Sequence, residues 1–179
     1  KDLIAKQKEQ QKKVDQLNKK IEELISKQVR TTTTLTKEQQ LIAGGFEANQ
    51  GRMPWPIEKG FISGYFGKHQ HPIHEHVTIE NKGIYLQTVS GADARAIYEG
   101  EVTWCAQMNG SYAVIVQHGN YRSVYSQLAK IYVKQGDKLQ AKQAIGQIQT
   151  DTSEDNKTEL YFQIYKDRSI LNPSLWLAQ

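Results

Sequence analysis

The stretch Tyr112-Ala-Val-Ile-Val-Gln-His118, Gly119-Asn120, Tyr121-Arg-Ser-Val-Tyr-Ser-Gln-Leu128 decides the fold class. Two runs rich in Val, Ile and Tyr flank a two-residue turn, the pattern of a tight antiparallel hairpin. The same signals continue on both sides. Ile97 to Cys105 is another β run, followed by an Asn109-Gly110 turn, and Val133 to Ile148 holds two short strands. Further on, Leu160, Phe162 and Ile164 alternate with Glu159, Tyr161, Gln163 and Tyr165, as in a half-buried strand. That alternation puts Tyr161 on the Glu159/Gln163 face, away from the core. Tyr85 likewise alternates against Ile84 and Leu86. Asn172-Pro173 opens a last turn, and Leu175, Trp176 and Leu177 pin the C-terminus. From Gly60 onward the body is therefore mainly β, an antiparallel sheet or sandwich.

The N-terminal part differs in kind. Leu3, Gln7, Gln10, Val14, Leu17, Ile21, Leu24 and Gln28 recur at steps of four and three, a heptad seam on a helix from residue 2 to about 30. Thr31 to Thr34 interrupt it, because β-branched residues in a row disfavour helix. Thr36 reads as the N-cap of a short second helix, with Gln39 at the capping-box place and a stop near Gly44-Gly45. The expected organisation is a helical, coiled-coil arm over 1–43, a linker strap over 44–56 and a body over 57–179. Pro54-Trp55-Pro56 cannot be helical, and Met53 and Trp55 suit a strap that packs on the body.

Composition narrows the function. Apolar residues are 38% of the 179, enough for one compact core and an appendage. The excess of 23 Lys and Arg over 19 Asp and Glu lies entirely in residues 1 to 43, so the body carries no basic stripe for nucleic acid. No apolar run reaches the roughly 18 residues of a membrane-spanning helix. The lone Cys105 excludes an intramolecular disulfide and reads as a buried free thiol. The chain opens on Lys1 without an initiator Met, and is expected to be a piece of a longer precursor.

Several motifs, in order, resemble the LytM/lysostaphin-type zinc peptidases of bacterial cell walls. Gly64-Tyr-Phe-Gly67 with His71-Pro72 is similar to the family's opening segment, and Ala94 to Gly100 to the strand that follows. Tyr112 to Gly119 matches the strand ending in His-Gly, Tyr125-Ser-Gln-Leu128 the Tyr-x-His-Leu segment, and Asn172-Pro173 the closing turn. The resemblance implies an antiparallel LytM-type sheet and a zinc cleft. The residues at that cleft depart from the pattern. Asn81 and Tyr85 stand where the family has His and Asp, Gln127 where it has a catalytic His, and Glu159 and Tyr161 where it has His-x-His. Zinc takes thiolate, imidazole or carboxylate, and only Glu159 qualifies. A tyrosine would have to ionise, ordinarily near pH ~10.

With a helical front end, this layout resembles the EnvC-type activators of cell-wall amidases, in which the degenerate cleft is the docking surface. The resemblance implies a non-catalytic regulator in the periplasm or cell envelope that needs no cofactor or metal. It would bind an amidase or other envelope protein through Asn81, Tyr85, Gln127, Glu159 and Tyr161. Glu159 would meet a cation of the partner. Three other readings stay open: a module that holds peptidoglycan without cutting it, a zinc endopeptidase with unusual ligands, and a carrier-type sandwich suggested by Glu99 to Val102 and Lys134 to Ile148. His69, His71, His74 and His76 fall within eight residues and are read as an exposed loop rather than a metal site.

Overall fold

A computed structural model describes residues 2–31, 34–70 and 78–179. The chain divides into two compact units, Lys1–Thr34 and Leu35–Gln179. The first is one long helix, α1 (Asp2–Thr31), built from strong helix formers without Gly or Pro. No described helix is long and apolar enough to cross a membrane.

The second unit begins with α2 (Lys37–Ala48) and continues as strands β1 (Phe61–Gly64), β2 (Gly67–Gln70), β3 (Thr78–Asn81), β4 (Ile84–Thr88), β5 (Asp93–Arg95), β6 (Gly100–Met108), β7 (Ser111–His118), β8 (Tyr121–Ile131), β9 (Lys138–Leu139), β10 (Ala144–Ile148), β11 (Thr150–Asp151), β12 (Lys157–Lys166) and β13 (Ser169–Leu171). A short 3₁₀ turn, Pro173–Leu175, follows. The main sheet runs β1-β4-β12-β8-β7-β6-β9; β10 joins β5 to β8, and β2-β3 forms a separate ribbon. Every pairing of named strands is antiparallel.

Turn chemistry sets the hairpins. Asn109 (φ 54) and Gly110 (φ 86) both take positive φ between β6 and β7, as a type I′ turn demands. Gly119 (φ 72) opens the β7–β8 turn, so the hairpin lies where the sequence puts it. One face of the sheet carries the main core, with Ile84, Leu86, Val114, Val116, Tyr125, Leu160, Phe162 and Ile164 all buried. Cys105, expected buried, is half-buried on β6 opposite Val114 and packs against that core.

The second helix departs from expectation. It runs through Gly44 and Gly45 to Ala48, and belongs with the body rather than with an arm ending at residue 43. Gly45 is a contact residue: a Cβ there would collide with the Tyr98 hydroxyl. Four residues on, the Asn49 amide donates to the Gly45 carbonyl at 2.7 Å and closes the helix. Thr36 caps the start, accepting from Gln39 N–H at 3.1 Å. The Gln39 side chain instead leaves the helix, and its Oε1 accepts from Gly119 N–H at 2.7 Å.

Phe46 is what α2 buries. Its ring stacks on His118 at 4.7 Å and Tyr121 at 4.8 Å, lies 5.2 Å from Trp176 and meets Tyr98 edge-on at 5.7 Å. The strap then ties down the C-terminus. Met53 bridges Leu177, and the Trp55 indole donates to the Ala178 carbonyl at 2.8 Å. Phe46→Ala and Phe162→Ala should each lower stability by about 3–5 kcal/mol in urea unfolding. Leu41→Ala, on the same helix but 78% exposed, should change it by less than about 0.5 kcal/mol. Equal effects of Phe46→Ala and Leu41→Ala would show that α2 is not docked through Phe46.

His118 is fully buried beneath Phe46. Its Nδ1–H donates to the Glu99 carbonyl at 2.7 Å, so in the neutral ring Nε2 is the acceptor and accepts a hydrogen bond from the Ser123 hydroxyl at 2.7 Å. Burial pushes its pKa from 6.5 down to about 4. Above pH ~6.5 neither folded nor unfolded chain carries this proton. Below that, the unfolded chain binds a proton that the folded one refuses until pH about 4. Stability should therefore fall as pH drops through this window, by about 1.4 kcal/mol per pH unit at most. The His118 ring resonance should stay that of neutral imidazole down to about pH 5; a midpoint near its ordinary value would contradict the burial argument.

Candidate functional site

The sheet face opposite the main core holds the candidate site. A single cross-strand row runs over five strands: Gly64 on β1, Tyr85 on β4, Tyr161 on β12, Ser126 on β8 and Ala113 on β7. Tyr85 and Tyr161 face each other directly, with ring centroids 4.8 Å apart and planes tilted by 32°. The Tyr85 ring also lies over Gly64, where a Cβ would press into it. One step along the same face, Glu159 pairs with Gln87.

Glu159 is not an open carboxylate. The Ser63 hydroxyl donates to its Oε2 at 2.5 Å, and Lys157 Nζ lies 3.6 Å from its Oε1. Its side chain is 18% exposed. The cation expected from a partner thus has an internal competitor. Ser63 and Lys157 were missed by sequence reasoning. Lys157 was within reach, since it has the parity of Glu159 and Tyr161 on one strand. Ser63 was not, because a bulge between Ile62 and Gly64 turns it towards Glu159.

Gln127 sits at another bulge. Ala113 pairs with Ser126 and Tyr112 with Leu128, so Gln127 is the extra residue of β8. Its φ is 67°, a left-handed conformation unusual for a residue with a Cβ. Bulges of this sort re-aim side chains beside functional sites. The Gln127 carbonyl accepts from Gln149 N–H at 2.9 Å.

Asn81 and Tyr85 stand on different sheets. β3 ends at Asn81, the chain bends at Lys82-Gly83, and β4 starts at Ile84. The bend needs Gly83, since a Cβ there would strike the Phe162 carbonyl. The Gln163 amide donates to the Lys82 carbonyl at 3.3 Å and ties the bend to β12. The Asn81 amide donates to the Tyr65 carbonyl at 2.9 Å. The structure therefore gathers Tyr85, Tyr161 and Glu159 on one face, sets Gln127 beside Ser126, and turns Asn81 towards the β1–β2 connection.

Tyr161 needs a correction. It is on the predicted face, but it is fully buried rather than open. Ile115, Val124 and Tyr165 share that parity and are buried too, so this face is apolar over much of its area. Alternation fixes the side a residue points to, not whether that side is covered. Tyr85 is the half-exposed member of the pair.

This donor set does not fit zinc. The two tyrosines pack ring against ring, Asn81 and Gln127 offer amides, and the one carboxylate is hydrogen-bonded and ion-paired. Among the described residues no three His, Cys, Asp or Glu side chains group as metal ligands would. His69, half-buried, donates its Nε2–H to the Tyr65 carbonyl at 2.8 Å, while His71, His74 and His76 lie outside the described residues.

Residues 79–173 match the profile of peptidase family M23, and the chain belongs to that family. It is 32% identical over 137 residues to an uncharacterized protein of Neisseria meningitidis serogroup B, covering 75% of this chain and 22% of that one. It is 25% identical over 138 residues to the murein hydrolase activator EnvC of Escherichia coli K12, covering 76% of this chain and 31% of EnvC. It thus spans less than a third of either relative. The solved structure of Helicobacter pylori Csd3 superposes with a TM-score of 0.58 at 21% identity, over 71% of this chain and 35% of that one, which speaks for the fold.

Tyr161→Ala should destabilise the chain by about 3–5 kcal/mol, like a core aromatic, and Tyr85→Ala by clearly less. Gln127→Gly should raise stability by about 0.5–1 kcal/mol through relief of the left-handed backbone. Thermal unfolding of the three variants checks both; destabilisation by Gln127→Gly would mean that its side chain holds the bulge.

Proposed function

We propose that this chain regulates peptidoglycan hydrolysis in the cell envelope without cutting peptidoglycan, by binding and activating a cell-wall amidase. The observation that carries this reading is the Tyr85–Tyr161 pair. By the sequence resemblance it stands at two positions of the family's metal pattern, and its rings lie in tilted contact beside a carboxylate already held by Ser63 and Lys157. Without zinc there is no activated water, so the cleft keeps its shape and loses the hydrolytic chemistry. A half-exposed aromatic such as Tyr85 suits partner recognition. The likeness to EnvC supports the activator role. The docking surface is Tyr85 with Gln127, Glu159 and Asn81, and the fully buried Tyr161 supports the Tyr85 ring; the helix α1 is a regulatory arm. No nucleic acid or cofactor enters this reading.

The test combines purified cell-wall amidase with dye-labelled sacculi. The chain alone should release no fragments and should bind no stoichiometric zinc. Added to the amidase it should accelerate release. Tyr85→Ala should cut that acceleration about tenfold, the equivalent of roughly 1.4 kcal/mol. Glu159→Lys should cut it more than Glu159→Gln, because it sets two cations side by side. Removing residues 1–34 should leave the body folded and alter the affinity. Release by the chain alone with one zinc bound would make it an endopeptidase with unusual ligands. Binding to sacculi with no effect on any amidase would make it a peptidoglycan-holding module.

A further inference from the structure

A second concave site lies where the strap crosses β5. A pocket of about 280 Å³ is lined by Trp55, Ile57, Glu58, Gly60 and Arg95, none of which belongs to the degenerate cleft. Arg95 is anchored there by its own strand and by the strap. Its backbone N–H donates to the Pro56 carbonyl and its Nε–H to the Trp55 carbonyl, both at 2.9 Å. No acidic side chain pairs with it among the described residues, so the two terminal nitrogens of the guanidinium are its unspent donors. A guanidinium fixed at Nε loses little further freedom when a carboxylate docks on its fork.

The one apolar wall beside it is the Trp55 ring, backed by Ile57. Ile57 is buried, and the Trp55 ring is locked by its indole bond to Ala178. Gly60, at φ 149°, makes the close approach that a Cβ would forbid, since one would run into the Gln87 carbonyl. Glu58, exposed, lines the same pocket, and its negative charge disfavours a dianion such as phosphate more than a monoanion. The volume falls below the ~300–1,000 Å³ of drug-sized sites, so it admits one or two residues and no folded surface.

We propose that this pocket binds the terminal carboxylate of a short peptide, with the last side chain against the Trp55 ring. The site shares no lining residue with the cleft, so its failure leaves the amidase reading untouched, and the reverse. Titration of the full ¹⁵N-labelled chain by NMR tests it, with N-acetyl-D-alanine, N-acetyl-L-alanine, the amide of each as uncharged control, and inorganic phosphate. The Trp55 indole and Gly60 backbone resonances should shift saturably with the acids and not with the amides. Arg95→Lys should weaken binding about five-fold or more through loss of the fork, and Glu58→Gln should tighten it. Preference for the D-acid would point to the stem peptides of the cell wall as source, and preference for the L-acid to a protein C-terminus. No saturable shift with either acid, equal shifts with the amides, or phosphate binding as tight as the acids would overturn the proposal. Should Arg95→Lys fail to fold, Glu58→Lys decides: it leaves the anchor intact and must tighten binding, and unchanged affinity would overturn the site.

Discussion

Strand β12 is hydrogen-bonded along both edges, to β4 on one side and β8 on the other, and the rest of the body depends on its register. Its even-numbered residues Leu160, Phe162 and Ile164 enter the main core. Its odd-numbered residues Glu159, Tyr161, Gln163 and Tyr165 form the opposite face. A slip of one residue would exchange the two sets. Core and candidate site are thus two sides of one constraint, and a change that moves the site must also move Leu160, Phe162 and Ile164.

The same constraint explains how a family frame persists around different chemistry. The frame is made by backbone: the pairing register, the Gly83 bend against β12, the close approach at Gly64, the bulges at Ser63 and Gln127. The chemistry of a metal site is made by side-chain donors that project from that frame. Two tyrosines in tilted contact and a paired glutamate project from it here. Fold and activity are separable for this reason, and family membership fixes the first more firmly than the second.

Long-range closure comes from two aromatic contacts outside the sheet. Phe46 brings α2 onto His118, Tyr121 and Trp176, and Trp55 fastens the strap to the last residues of the chain. Trp176 lies beside both Phe46 and Tyr121, so the C-terminus and α2 stabilise one cluster. The neutrality of His118 depends on this cover, since a charged imidazole there would lack solvent.

Local chemistry made much of the body legible in the sequence. The Gly119-Asn120 and Asn109-Gly110 turns, the β-branched runs and the alternation of residues 159–165 specify hairpins and strand faces, because turn geometry and side-chain parity are properties of neighbouring residues. Thr36 was legible as a cap for the same reason. Tertiary structure decided what depends on distant partners. Gly44-Gly45 looked like a helix stop, yet the helix continues because Gly45 packs under Tyr98, more than fifty residues away. Tyr161 looked open, yet it is buried, because parity does not say what covers a face. The partners of Glu159 divide along the same line: Lys157 is two residues away and readable, whereas Ser63, 96 residues away, arrives only through the pairing of β1 with β4. Residues far apart in the chain meet only when the backbone has chosen its register, and a sequence read on its own holds no coordinate for that meeting.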